Sequence, residues 1–60
     1  MTLKEAQINA FKLLDEGDAH AAVLTMCRWA NDEHVSELGM EVLATHDDDI
    51  VREFIEGFLE

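Results

Sequence analysis

The chain has no proline and no tyrosine, a single cysteine, a single tryptophan and only four Lys or Arg among its 60 residues. Without proline, no position is barred from helix by a missing backbone N–H. One cysteine, Cys27, cannot close an intrachain disulfide, so the staple of small secreted domains is missing and a reducing, cytoplasmic setting is expected. No C-x-x-C, H-x-x-x-H or H-E-x-x-H spacing occurs around His20, His34 and His46, which leaves no metal signature. No run approaches the roughly 18 apolar residues of a membrane span, and Met1-Thr2-Leu3-Lys4-Glu5 lacks the apolar core of a secretion signal. No membrane role is expected.

The shortage of bases is uneven, and its distribution carries more than the total of −10. Residues 1–31 hold Glu5, Asp15, Glu16 and Asp18 against Lys4, Lys12 and Arg28, a net charge of −1. Residues 32–60 hold ten acids against Arg52 alone, a net charge of −9. Such a field repels nucleic-acid phosphates and anionic lipid and favours encounter with a basic surface. Direct nucleic-acid binding is therefore not expected.

What is abundant is apolar surface at helical spacing. A hydrophobic fraction of 48% exceeds that of a typical disordered acidic tail, so the chain should fold. Thr2-Leu3-Lys4-Glu5 matches a capping box, and Leu3, Ala6, Ala10, Phe11, Leu13 and Leu14 then share one face. Gly17 supplies a left-handed helix end, and Asp18 a new N-cap. In Ala19–Asn31 the residues Ala19, Ala22, Val23, Met26, Cys27, Trp29 and Ala30 gather on one side, marking this helix as the centre of the core.

Asn31-Asp32 offers a stop and a cap together. Val35, Leu38, Gly39, Val42 and Leu43 then form an inward face, with Glu33, Glu37 and Glu41 in an i, i+4, i+8 row outside. His46-Asp47-Asp48-Asp49 breaks the period and places acids at the start of a last helix. There Ile50, Val51, Phe54, Ile55, Phe58 and Leu59 span nearly half the circumference, more than a monomer of this size readily covers. The expected fold is all-α: a compact four-helix unit of two successive helical hairpins, about 3–16, 19–31, 33–45 and 49–59. It forms one domain over 1–60, and association into a homodimer is expected to cover the excess apolar surface.

Residues able to carry chemistry have simpler roles. His20 and Cys27 are seven residues apart, about 10 Å along a helix, too far to share one ion unaided. His34 with Glu37 one turn on has the spacing of an acid–base pair and equally of a surface ion pair. Asp47, Asp48 and Asp49 lack the alternating ligands, central Gly and closing Glu of a calcium loop, and they complement a helix dipole without any ion. No nucleophile has a recognisable partner: Ser36, Thr25 and Thr45 lack a triad or oxyanion turn, and Cys27 sits on the apolar face.

Three apolar residues fall instead among polar neighbours: Ile8 near Lys4, Lys12 and Asp15; Leu24 near His20, Arg28 and Asn31; Met40 near Glu33, Glu37 and Ala44. The expected function is therefore non-enzymatic and needs no cofactor. It is that of a small acidic interaction or regulatory module, binding another protein through an apolar patch (Ile8, Leu24, Met40 or the last helix) with an acidic rim (Glu33, Glu37, Glu41, Asp47, Asp48, Asp49). If Ile8 and Leu24 occupy adjacent outer faces, they form a dimer seam or a partner patch. A narrower alternative is an inhibitor, as phages often encode, whose acidic half imitates nucleic acid and blocks a basic groove. A minor alternative is a small enzyme or metal-binding protein using His34 with Glu37, or His46 with the aspartates beside it. Solubility and adaptation to high salt are other uses for the same acidity.

Overall fold

The computed structural model of the chain describes residues 1–58. It consists of α1 (Leu3–Asp15), α2 (Ala19–Ala30), α3 (Glu33–Ala44) and α4 (Asp48–Glu56), with no strand among the described residues. Every helix begins at the side-chain cap its sequence provides. The Thr2 hydroxyl accepts from the Glu5 N–H at 3.2 Å while the Glu5 carboxylate accepts from the Thr2 N–H at 3.3 Å, which completes the capping box. Asp18 accepts from the Ala21 N–H at 3.0 Å, Asp32 from the His34 N–H at 2.8 Å and Asp47 from the Asp49 N–H at 2.9 Å.

The three joins turn on left-handed residues: Gly17 at φ 88°, Asn31 at φ 49° and His46 at φ 54°. Glycine and asparagine are the usual occupants of such a position. At the third join the Thr45 hydroxyl donates to the Val42 carbonyl at 2.6 Å and accepts from the Asp47 N–H at 3.3 Å, bracing a turn that lacks glycine.

α2 packs against each of the other three helices, whereas α1 and α3 are not packed against one another. The expectation that Ala19–Asn31 forms the centre is met. Ala22, Val23, Met26 and Cys27 of α2 join Ala6, Ala10 and Leu14 of α1 with Val51 and Ile55 of α4 in the buried core. The fully buried alanines at positions 6, 10 and 22 leave room for backbones to approach, and Met26, Ile55, Val23 and Val51 are the largest fully buried side chains. Burying each of the four contributes roughly 1.5–3 kcal/mol.

Four details differ from the sequence reading. Trp29, expected to fill the core beside Met26, lies half-buried at its margin; its indole N–H donates to the Met1 carbonyl at 3.0 Å and its ring meets Phe58 edge-on at 6.0 Å. An indole carries a donor that needs a partner, and at the margin it finds one. α4 begins at Asp48 rather than Asp49 because Asp47 is the cap. It ends at Glu56, short of the expected limit, and Leu59 lies outside the described residues. Leu38, expected inside, is 46% exposed.

The cause of the Leu38 displacement is Gly39, the one buried residue of α3. A Cβ on Gly39 would stand 2.7 Å from the Cys27 Sγ and 2.9 Å from the Val23 Cγ1. The backbone of α3 therefore lies directly on α2 at this point, and the Cys27 thiol donates to the Val35 carbonyl at 3.8 Å. With the buried arc centred on Gly39, Val35, Val42 and Leu43 take its partly buried flanks and Leu38 is left at the edge. Leu24, half-buried, lies outside the core beside Arg28 and Asn31, two of the neighbours expected for it, on an open groove where α2 meets α3.

Candidate functional site

Ile8 and Met40 are the most exposed of the three out-of-place apolar residues, at 58% and 61%. Neither lines the groove that holds Leu24. Leu24 lines an open groove of about 590 Å³ with Cys27, Arg28, Asn31, Asp32, Glu33 and Ser36, where α2 ends and α3 begins. Ile8 is carried by α1, which packs on α2 and α4 and not on α3. A seam formed by Ile8 and Leu24 of one protomer would therefore have to span two flanks. Of the acidic rim, this groove gathers Glu33 alone.

Asp47 and Asp48 are drawn instead to the opposite junction. They line an open groove of about 440 Å³ with Asp18, His20, Leu43, His46 and Val51. Asp18 and Asp47 are both engaged as N-caps, so their carboxylates already accept backbone hydrogen bonds. Among the described residues no three His, Cys, Asp or Glu side chains converge as metal ligands would. Glu37, Glu41 and Asp49 are exposed on their helices, as is His34. Among the described residues His34 and Glu37 share no hydrogen bond or ion pair, and Arg52–Asp15 at 3.5 Å is the sole salt bridge.

That pair determines how the acidic half is presented. Arg52, the one Lys or Arg of residues 32–60, reaches across to α1. Its guanidinium lies 5.7 Å from the Phe11 ring centre and bonds to Asp15. Cationic charge is thus withdrawn to the α1 side of α4, leaving the α3 flank to Glu53 and its neighbours. The Gln7 amide donates to the Ile55 carbonyl at 2.8 Å, tying α4 to α1 a second time.

One apolar groove was not singled out by the sequence reading. Between α3 and the C-terminal part of α4, a groove of about 250 Å³ is lined by Val35, Leu38, Glu53, Phe54, Gly57 and Phe58. Phe54 and Phe58 stack edge-on at 5.4 Å, so its aromatic wall is preformed. Its only sequence signal is the width of the α4 stripe. Leu38 gives none, because an apolar residue at core spacing reads as core.

Cys27 is the one thiol on these surfaces, and Ser36 lines the same groove. The Cys27 thiol is buried, and burial pushes its pKa above the ordinary 9.0, which disfavours the thiolate. Comparison of the chain with protein-family models, curated proteins and solved structures gives no match.

Proposed function

We propose that this protein is a non-enzymatic interaction or regulatory module. It would bind another protein by apolar contact within an acidic rim, and self-associate through its nearly neutral half. The observation that carries the reading is the segregation of charge on the folded surface. Glu33, Glu37, Glu41, Asp47, Asp48, Asp49, Glu53 and Glu56 are all exposed on α3, α4 and the turn between them, while Arg52 is turned to Asp15. Such a surface accelerates encounter with a basic partner, and exposed apolar side chains beside it supply the short-range contact.

The same segregation supports self-association through residues 1–31. Two surfaces from residues 32–60 repel one another, whereas residues 1–31 carry only −1. Exposed Ile8 on α1 is the anchor for self-association, in an arrangement where α1 and α2 form one hairpin and α3 and α4 the other. A second reading draws on the row Glu33, Glu37 and Glu41, all exposed on one helix at about 6 Å axial intervals. There α3 stands in for a nucleic-acid strand in the basic groove of another protein.

The test is affinity capture from the native host with the wild-type chain and with the triple change Glu33→Lys, Glu37→Lys and Glu41→Lys. A specific partner retained by wild type and lost by the triple variant is expected. A partner retained by both, even at about 0.5 M salt, would show that charge does not direct binding. Sedimentation at micromolar concentration addresses the dimer, which Ile8→Glu should dissociate.

A further inference from the structure

Resting on that interaction reading, we propose that the groove between α3 and the C-terminal part of α4 is the docking site for a basic amphipathic helix of a partner protein. The groove floor is apolar: Val35, Leu38, Phe54 and Phe58 line it, and Leu38 is 46% exposed among the described residues. Ile50, one turn before Phe54 on the same side of α4, extends the strip and is 38% exposed. At about 250 Å³ the groove falls below the roughly 300–1,000 Å³ of small-molecule sites. Its shallow form suits apolar anchors repeated along a helix.

Charge selects the occupant. Glu53 lines the groove and is exposed, and Asp49 is exposed one turn before it on α4. Across the groove Glu41 stands one turn after Leu38, and it is exposed. No Lys or Arg occurs on α3, and Arg52 on α4 is paired with Asp15 on the far side. Carboxylates thus flank an apolar strip on both edges. The complement is a helix with apolar residues at i, i+3, i+4 and i+7 and Lys or Arg on each side of that stripe. A second copy of this chain does not meet that description: its α3–α4 strip is flanked by the same acids, and its α1, which has Lys4 and Lys12 beside Ile8, exposes Ile8 as its one large apolar side chain and not a stripe.

Titration calorimetry of the full chain with a synthetic helix of about 18 residues, built only from Leu at those positions and Lys elsewhere, tests the assignment. Binding is expected with amide shifts confined to Val35, Leu38, Glu53 and Gly57. Leu38→Glu and, separately, Glu53→Lys should each weaken it by about tenfold or more. Circular dichroism controls for folding, and Leu38→Ala provides a second, milder variant at the same exposed position. A scrambled Leu/Lys peptide that binds as well would overturn the assignment, as would shifts mapping to α1. Dissociation of a homodimer by Leu38→Glu would show that a second copy occupies the groove and would also overturn it. The wider interaction reading is judged separately. A host partner lost with the Glu33, Glu37 and Glu41 reversals but indifferent to Leu38→Glu leaves that reading standing and removes the groove from it.

Discussion

Gly39 sets the depth to which α3 sinks onto α2, and a single methyl group tests it. Alanine is the better helix former by about 1 kcal/mol, which would favour Gly39→Ala at an open site. Here the added Cβ would stand 2.7 Å from the Cys27 Sγ and 2.9 Å from the Val23 Cγ1. Val23 is fully buried and β-branched, so it cannot swing aside cheaply. Overpacking of about 1–3 kcal/mol exceeds the propensity gain, and a net loss is expected. Thermal melting should show a lower Tm, about 4–8 °C for each kcal/mol lost in a domain of this size. An unchanged or raised Tm would mean that α3 is free to lift away. Cys27 makes a second test at this contact. Its pKa is raised by desolvation, so its contribution to stability is complete below pH 9.0 and is lost as pH rises through the higher folded value. Alkylation by iodoacetamide in native buffer should be slow and should speed up sharply in denaturant.

At the scale of the helix, the caps were legible in the sequence and the inward faces only partly so. A cap is local: Thr2 with Glu5, Asp18 with Ala21, and Asp32 with His34 involve groups two or three residues apart, so spacing alone identifies them. Leu38 was misread because helical periodicity fixes angles around an axis but not which arc a neighbour covers. Only the close approach at Gly39 settles that. The grooves were illegible for the same reason, since each is lined by segments distant in sequence. The capping box yields a pH prediction. Glu5 is held below its ordinary 4.5, first by the Thr2 backbone N–H and then by the Thr2 hydroxyl. Its contribution is present above pH 4.5 and fades as pH falls through the lower folded value. Thr2→Ala keeps the backbone N–H and removes the hydroxyl, so the stability gap between it and wild type should narrow on acidification only by the hydroxyl's share in holding the Glu5 carboxylate. On α3, Glu37→Lys turns two like-charge contacts, with Glu33 and Glu41, into attractive ones. A gain of roughly 1 kcal/mol is expected in denaturant unfolding.

For the molecule as a whole, acids concentrated in one half destabilise the monomer while shaping what it can meet. Raising ionic strength from about 0.1 M to about 1 M shortens the Debye length from about 10 Å to about 3 Å, and the Tm should rise as repulsion within residues 32–60 is relieved. The triple change Glu33→Lys, Glu37→Lys and Glu41→Lys should flatten that salt response; if it does not, the penalty resides elsewhere. The described chain measures 25 × 22 × 18 Å, and within that span Trp29 joins the first residue to the last described turn through Met1 and Phe58. As the sole indole it is a built-in fluorophore reporting on both junctions at once. Emission and far-UV ellipticity should trace one superimposable unfolding curve if the two ends are released only with the core. An emission shift that precedes the ellipticity change would instead time the release of those ends ahead of helix loss.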